Sequence, residues 1–174
     1  MTEFVFPFDP SERALFTAED SPLPVRWARR YSGLFDSDDV RIAKSQAPAR
    51  KGGFHYFEWR AAILLYEATG MLSLIESYQG REHERKQQVL RRLLTEEQRT
   101  LILNVNKAYK AQAPDLLVYR EDYSTFFFCE VKGPGDRLRP PAATFAAAIS
   151  KSCSVPVLTI RFVRLDKFAR PRPT

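Results

Sequence analysis

Two apolar runs separated by five turn-forming residues constrain this chain more than anything else in it. Residues 114–119 (PDLLVY) and 125–132 (TFFFCEVK) flank the segment REDYS. Both runs have the composition of strands, and Asp and Ser between them suit a tight reversal. The pattern predicts a β-hairpin centred between Asp122 and Tyr123. In that register Asp115 stands opposite Glu130, and directly opposed side chains have Cβ atoms about 4.5–5.5 Å apart. Glu130 and Lys132, two residues apart on one strand, point to the same face. Thr125 to Val131 is otherwise almost wholly apolar, as a buried central strand is. A Glu and a Lys at the end of such a strand are costly unless they pair or act on a ligand. One reading is a Glu130–Lys132 salt bridge. The other is a site in which Asp115 and Glu130 share a divalent ion and Lys132 reaches a phosphate or a water. Geometry alone weighs the two equally.

The second reading has a chemical logic. Phosphodiester hydrolysis needs a hydroxide, neutralised charge and a stabilised leaving oxygen. A hard ion such as Mg²⁺ takes oxygen ligands, often one or two carboxylates with waters and substrate phosphate, and it lowers the pKa of its water. A nearby lysine orients the nucleophile or stabilises developing charge.

The rest of the chain reads less sharply. After the hairpin, Gly133-Pro134-Gly135-Asp136 breaks the chain. Residues 141–151 suit a short helix with proline in its first turn, and residues 155–163 a third strand. Upstream, residues 54–76 predict a helix, because Phe54, Glu58, Ala61, Leu65, Ala68 and Leu72 follow helical spacing on one face. Glu58 lies inside that apolar stripe, so its carboxylate must be paired, protonated or bound to a cation; an edge position beside an arginine is the competing account. Residues 82–94 predict a charged helix, whose Arg85, Lys86, Arg91 and Arg92 form either a phosphate-binding face or a solvated one. Thr95 and Gln98 resemble a capping box opening a further helix through about Ala108.

Residues 1–50 contain five prolines, at 7, 10, 22, 24 and 48, which argues against long elements. Two aromatic clusters (Phe4, Phe6, Phe8; Trp27, Tyr31, Phe35) predict that this N-terminal arm packs on a domain formed by residues 51–174. Residues 41–53 read as a basic linker, and the tail FARPRPT as frayed.

Composition narrows the function. The chain of 174 residues is long enough to bury a core, and 44% hydrophobic with 28% charged residues excludes disorder as the dominant state. Net charge is +6. Residues 1–50 carry 7 basic and 8 acidic side chains, and residues 51–174 carry 20 and 13. A basic second part favours polyanions, nucleic acid first among them. Two cysteines, Cys129 and Cys153, lack zinc-site spacing and read as core residues of a reducing compartment. No apolar run approaches 18 residues and the first residues lack a basic n-region, so neither a membrane span nor a secretory signal is expected.

The segment PDLLVY followed by FFFCEVKGPGDRLR resembles the VRR-NUC family, a branch of the PD-(D/E)XK superfamily with a restriction-endonuclease-like α/β fold. Its pattern of Pro-Asp-Leu, Glu-Val-Lys-Gly-Pro and Asp-Arg-Leu is matched by Pro114, Asp115, Leu116, Glu130, Val131, Lys132, Gly133, Pro134, Asp136, Arg137 and Leu138. The resemblance covers residues 113–165 and extends to the helix at about 54–72. It implies a small mixed sheet flanked by helices and an Mg²⁺- or Mn²⁺-dependent nuclease acting on DNA. By the resemblance, Asp115, Glu130 and the backbone carbonyl of Val131 hold the metal, Lys132 is the catalytic lysine, Glu58 is the acidic residue of the first helix, and Arg137 contacts a phosphate. The chain departs from the pattern near Ala142, where the family usually carries Gln, in having Phe145 where the family places Trp, and at Ala113. The expected action is on intracellular DNA in the cytoplasm. A toxin held by an immunity protein and delivered into another cell is one variant, a junction resolvase working as a homodimer another. A DNA-binding module whose catalysis has lapsed is the alternative of a different class.

Overall fold

In the computed structural model, residues 2–46, 55–75, 83–109, 113–137 and 140–168 are described. The elements run β1 (Glu3–Phe8), α1 (Pro10–Phe16), α2 (Leu23–Arg30), α3 (Ser37–Gln46), α4 (Tyr56–Thr69), β2 (Leu72–Ile75), α5 (Glu84–Leu93), α6 (Glu96–Tyr109), β3 (Leu116–Tyr119), β4 (Phe126–Lys132), α7 (Pro140–Cys153), β5 (Val157–Arg164) and α8 (Leu165–Phe168). The five strands form one mixed sheet in the order β1-β5-β4-β3-β2. The α/β architecture expected from the sequence is therefore present, with helices on both faces.

The hairpin has the predicted register. Leu116 pairs with Cys129 and Tyr119 with Phe126 in antiparallel β3 and β4, which continues to Asp115 opposite Glu130. The turn is closed by Arg120 N–H to Thr125 O (3.0 Å) and Tyr123 N–H to Arg120 O (2.9 Å), and Tyr123 takes the left-handed conformation there (φ 61°). β3 is buried on both faces, which explains its unbroken apolar run. Leu116, Val118, Cys129 and Val131 face a core shared with α1–α4. Leu117, Tyr119 and Phe128 face a second core with α5, α6 and α7. Cys129 and Cys153 are free thiols, one in each core.

Three expectations need correction. The helix read over residues 54–76 ends at Thr69: Gly70 caps it in the left-handed conformation (φ 71°), donating to Tyr66 O at 2.8 Å, as glycine does without a Cβ penalty. Leu72 continues the helical spacing by coincidence and instead begins β2, antiparallel to β3. Residues 41–46, read as linker, are the end of α3; the remainder of that linker and most of the FARPRPT tail lie outside the described residues. The N-terminal segment is also more regular than its prolines suggested. β1 is an edge strand, parallel to β5 from Glu3↔Thr159 to Phe8↔Arg164. Pro7 is tolerated there because an edge strand is paired on one side only. Pro10 sits in the first turn of α1, whose N-cap Asp9 accepts from Ser11 N–H at 2.8 Å.

The aromatic clusters pack on the core as expected, except for Phe4, which is 46% exposed. Phe35 stacks on Trp59 of α4 (centroids 3.9 Å apart, planes at 13°), and Phe16 lies edge-on to Tyr56 and Trp59. With α1–α3 covering it, the first half of α4 is buried well beyond one stripe: Tyr56, Trp59, Ala61, Ala62 and Ile63 are all inaccessible. Burying each such large side chain contributes about 1.5–3 kcal/mol. The capping box is formed as predicted, Thr95 N–H donating to Gln98 Oε1 (2.9 Å) and Gln98 N–H to Thr95 Oγ1 (3.2 Å).

Candidate active site

The hairpin brings Asp115, Glu130 and Lys132 to one face at the end of the β3–β4 ladder. Asp115 lies just before β3, and its Oδ2 accepts from Val131 N–H at 2.7 Å, in effect extending the ladder by a side chain. An extended residue projects its N–H and C=O to the same neighbour, so the Val131 carbonyl also lies on the Asp115 side. Lys132 Nζ donates to Glu130 Oε1 at 2.5 Å, with both side chains largely buried. The ion pair that competed with a site in the sequence is therefore formed, between two of the residues that would make the site.

Electrostatics single out Asp115. Desolvation first, then the charges of Glu130 and Glu58, push its carboxyl well above the usual carboxylate range, against the opposing pull of the Val131 N–H and Lys132. Burial, with Asp115 and Glu130 adding to it, also holds the Cys129 thiol protonated. Glu58 stands in the first turn of α4. Its charge is felt by Asp115 and by His55, whose imidazole burial lowers below its ordinary value while Glu58 opposes and Lys86 reinforces the shift. A concentration of carboxylates that raises the cost of its own ionisation is the donor set a hard cation relieves.

The loop after β4 docks this site against α4. Asp136 N–H donates to Gly133 O (3.2 Å), and Asp136 Oδ2 accepts from Gly133 N–H (3.0 Å). Pro134 and Gly135 (φ 81°) occupy the two corners, the arrangement of a type II turn. Gly133 is required by contact: a Cβ there would lie 2.7 Å from Phe57 Cε2. Phe57 precedes Glu58, so the glycine sets how closely the Glu-Val-Lys strand approaches the helix bearing Glu58. Arg137 is exposed beyond the turn. Ala142 and Phe145 lie on α7, with Phe145 wholly buried in the second core.

Two polar residues on the same face were not picked out in the sequence. In the parallel β4–β5 pair, Thr159 stands beside Glu130 and Arg161 beside Lys132. The signal was present as Thr-Ile-Arg in an otherwise apolar strand, two polar positions at period two.

The basic helix α5 behaves differently from either expectation for Arg85 and Lys86. Arg85 pairs with Asp36 (2.8 Å) and Asp39 (2.9 Å), and Lys86, 2% exposed, pairs with Asp39 Oδ1 (2.8 Å) and donates to Ile75 O (2.7 Å). Arg91 pairs with Glu84, and Arg92 covers the Tyr123 ring. His83 Nε2 lies 3.2 Å from Asp36 Oδ1. Among the described residues, Asp36, Asp39 and His83 are the one group of three whose ligand atoms all lie within 4.8 Å of one another; Glu58, Asp115 and Glu130 do not converge that tightly. The Asp36–Asp39–His83 group nevertheless has its charge balanced by Arg85 and Lys86, which a divalent ion would have to displace. It is a tether between α3, α5 and the end of β2.

No protein-family model matches the chain, and neither does any curated protein. Among the described residues, no helix is long and apolar enough to cross a membrane.

Proposed function

We propose that this protein is a metal-dependent nuclease that hydrolyses phosphodiester bonds of DNA, with a restriction-endonuclease-like sheet and the VRR-NUC-like segment at residues 114–138 as its catalytic hairpin. The observation that carries the reading is the register: Asp115 opposite Glu130, on the face that also bears Lys132. Asp115, Glu130 and the Val131 carbonyl would hold Mg²⁺ or Mn²⁺, with Glu58 contributing negative charge from α4. A bound ion supplies Lewis-acid polarisation of the phosphate and a lowered pKa for its water. The chain's own residues do the rest. The Val131 N–H would hold the Asp115 carboxyl in place, and Lys132, beside Glu130 on the same strand face, would direct its ammonium at the nucleophile or a phosphate oxygen. Arg137, exposed beyond the turn, meets the backbone of the incoming strand.

The test is cleavage of supercoiled plasmid, four-way and flap DNA with Mg²⁺ or Mn²⁺, comparing wild type, Lys132→Ala and an EDTA control. Cutting by wild type alone, abolished by EDTA, is the expected result. A second reading, a DNA-binding module whose catalysis has lapsed, is favoured by the Glu130–Lys132 ion pair and by Ala142 standing near where related nucleases carry Gln. DNA binding with no metal-dependent cutting of any of the three substrates would establish it instead.

A further inference from the structure

We propose that Arg161, oriented by Glu3, is a phosphate-positioning residue that holds the substrate strand beside Lys132; this rests on the nuclease reading above. Adjacent strands in a sheet lie about 4.7–4.9 Å apart, so the pairs Glu130–Thr159 and Lys132–Arg161 make a two-by-two polar patch on one face. Arg161 is held in a fixed plane. Its Nε donates to Glu3 Oε1 (3.1 Å), its Nη2 to Glu3 Oε2 (3.0 Å) and its Nη1 to the Asp136 carbonyl (2.9 Å). A guanidinium has five N–H donors; among the described residues three are engaged, leaving one on each terminal nitrogen. The side chain is 28% exposed, which leaves that fork open to a ligand.

A second observation points the same way. The Thr159 hydroxyl, on the same face beside Glu130, is buried and has no hydrogen-bond partner among the described residues. Buried hydroxyls are nearly always paired, and an acceptor seated over this patch, such as a phosphate oxygen, would satisfy it together with the open arginine donors. A planar, pre-oriented fork suits phosphate better than a lysine's point charge. Glu3 offsets the charge of Arg161, so the arginine's role is to orient a phosphate through directed hydrogen bonds, and Glu3 keeps those bonds aimed. The first strand of the chain thereby becomes part of the active site.

The experiment measures DNA binding in EDTA as a function of salt, and cleavage kinetics with Mg²⁺ or Mn²⁺, for wild type, Arg161→Ala, Arg161→Lys and Glu3→Gln, each checked for folding by circular dichroism. A residue that contacts one phosphate reduces the slope of log affinity against log salt by about one when removed. Arg161→Ala is expected to show that loss of slope and a roughly tenfold rise in KM. Arg161→Lys should restore the slope but not kcat, because a lysine lacks the fixed fork. Glu3→Gln should bind at least as tightly as wild type yet cut more slowly. Wild-type slope and kinetics in folded Arg161→Ala, with cutting still abolished by Lys132→Ala, would overturn the role of Arg161 and leave the nuclease reading intact. A slope that depends on Arg161 in a protein that never cuts would overturn the nuclease reading and keep the phosphate contact. Should Arg161→Ala fail to fold, a lysine variant equal to wild type in kcat, together with an unaffected Glu3→Gln, would overturn the positioning role.

Discussion

The Val131 N–H donates to Asp115 Oδ2 at 2.7 Å, so a carboxylate occupies the place where the next rung of the β3–β4 ladder would be. That hydrogen bond favours the ionised acid, yet desolvation and the neighbouring charges of Glu130 and Glu58 outweigh it and raise the Asp115 carboxyl. The sign of the pH dependence follows. A carboxyl raised in the folded state retains a proton that the unfolded chain, with an ordinary pKa of about 3.9, has already lost. Stability of the metal-free protein should therefore fall as pH rises from about 4 through the folded-state value. Urea unfolding in EDTA at pH 5 and pH 8 checks this: wild type should lose more stability between the two than Asp115→Asn. An equal loss in both would show that Asp115 is not the responsible group.

The same carboxylates predict a response to cations. Mg²⁺ or Mn²⁺ at saturating concentration should raise the Tm of wild type, since a ligand that binds only the folded state stabilises it. The rise should be larger at pH 8 than at pH 5, and absent in Asp115→Asn. Differential scanning fluorimetry reads it directly; a shift in the variant equal to that in wild type would place the cation elsewhere.

Gly133 answers to Phe57. A methyl group at 133 would sit 2.7 Å from the ring, and overpacking of this kind costs about 1–3 kcal/mol. Gly133→Ala should be destabilised by that amount, and Phe57→Leu in the same chain should recover part of it. The coupling, read from a double-mutant cycle of chemical denaturation, should be clearly non-additive. Strict additivity would mean the contact is not what requires glycine.

Lys86 is held without solvent between Asp39 and the Ile75 carbonyl. Removing one partner of a buried ion pair costs about 3–5 kcal/mol when it strands the other; here Arg85 still holds Asp39 Oδ2, so Lys86→Met should lose about 3 kcal/mol or less by urea unfolding. Adding Arg85→Gln, which leaves Asp39 with neither cation, should cost more in the Lys86→Met background than in wild type. A single variant within about 0.5 kcal/mol of wild type would show that the tether contributes little.

The hairpin and its chemistry were legible because they are local. Asp115, Glu130 and Lys132 are placed by strand period and by one turn, and the register read from the turn's centre is the one found. What escaped depends on distant partners. Arg85 and Lys86 looked like a surface face until Asp36 and Asp39, some 46–49 residues earlier, closed on them. Phe4, Phe6 and Phe8 carry the period-two signature of a strand, but nothing local says that β5 is its neighbour. The pattern over 54–76 runs past the true end of the helix because Leu72 keeps the helical spacing beyond the cap at Gly70. The breadth of burial on α4 was invisible for a related reason: it depends on α1–α3 covering the helix's outer side.

β1 and β5 lie side by side in the sheet although 158 residues separate Glu3 from Arg161. Pairing so far apart in the chain is slow to form, since the entropy of closing the loop is spent before any contact repays it. On a ribosome, β1 emerges well before β5, the neighbour it pairs with in the sheet, is made. The β2–β3–β4 portion, with Asp115, Glu130 and Lys132 on it, can assemble earlier, while the Glu3–Arg161 fork is completed only when the strand at residues 157–164 arrives. Synthesis order thus separates the two parts of the proposed site: the carboxylates and lysine gather first, and the arginine that would steady a nucleic-acid strand against them is set last.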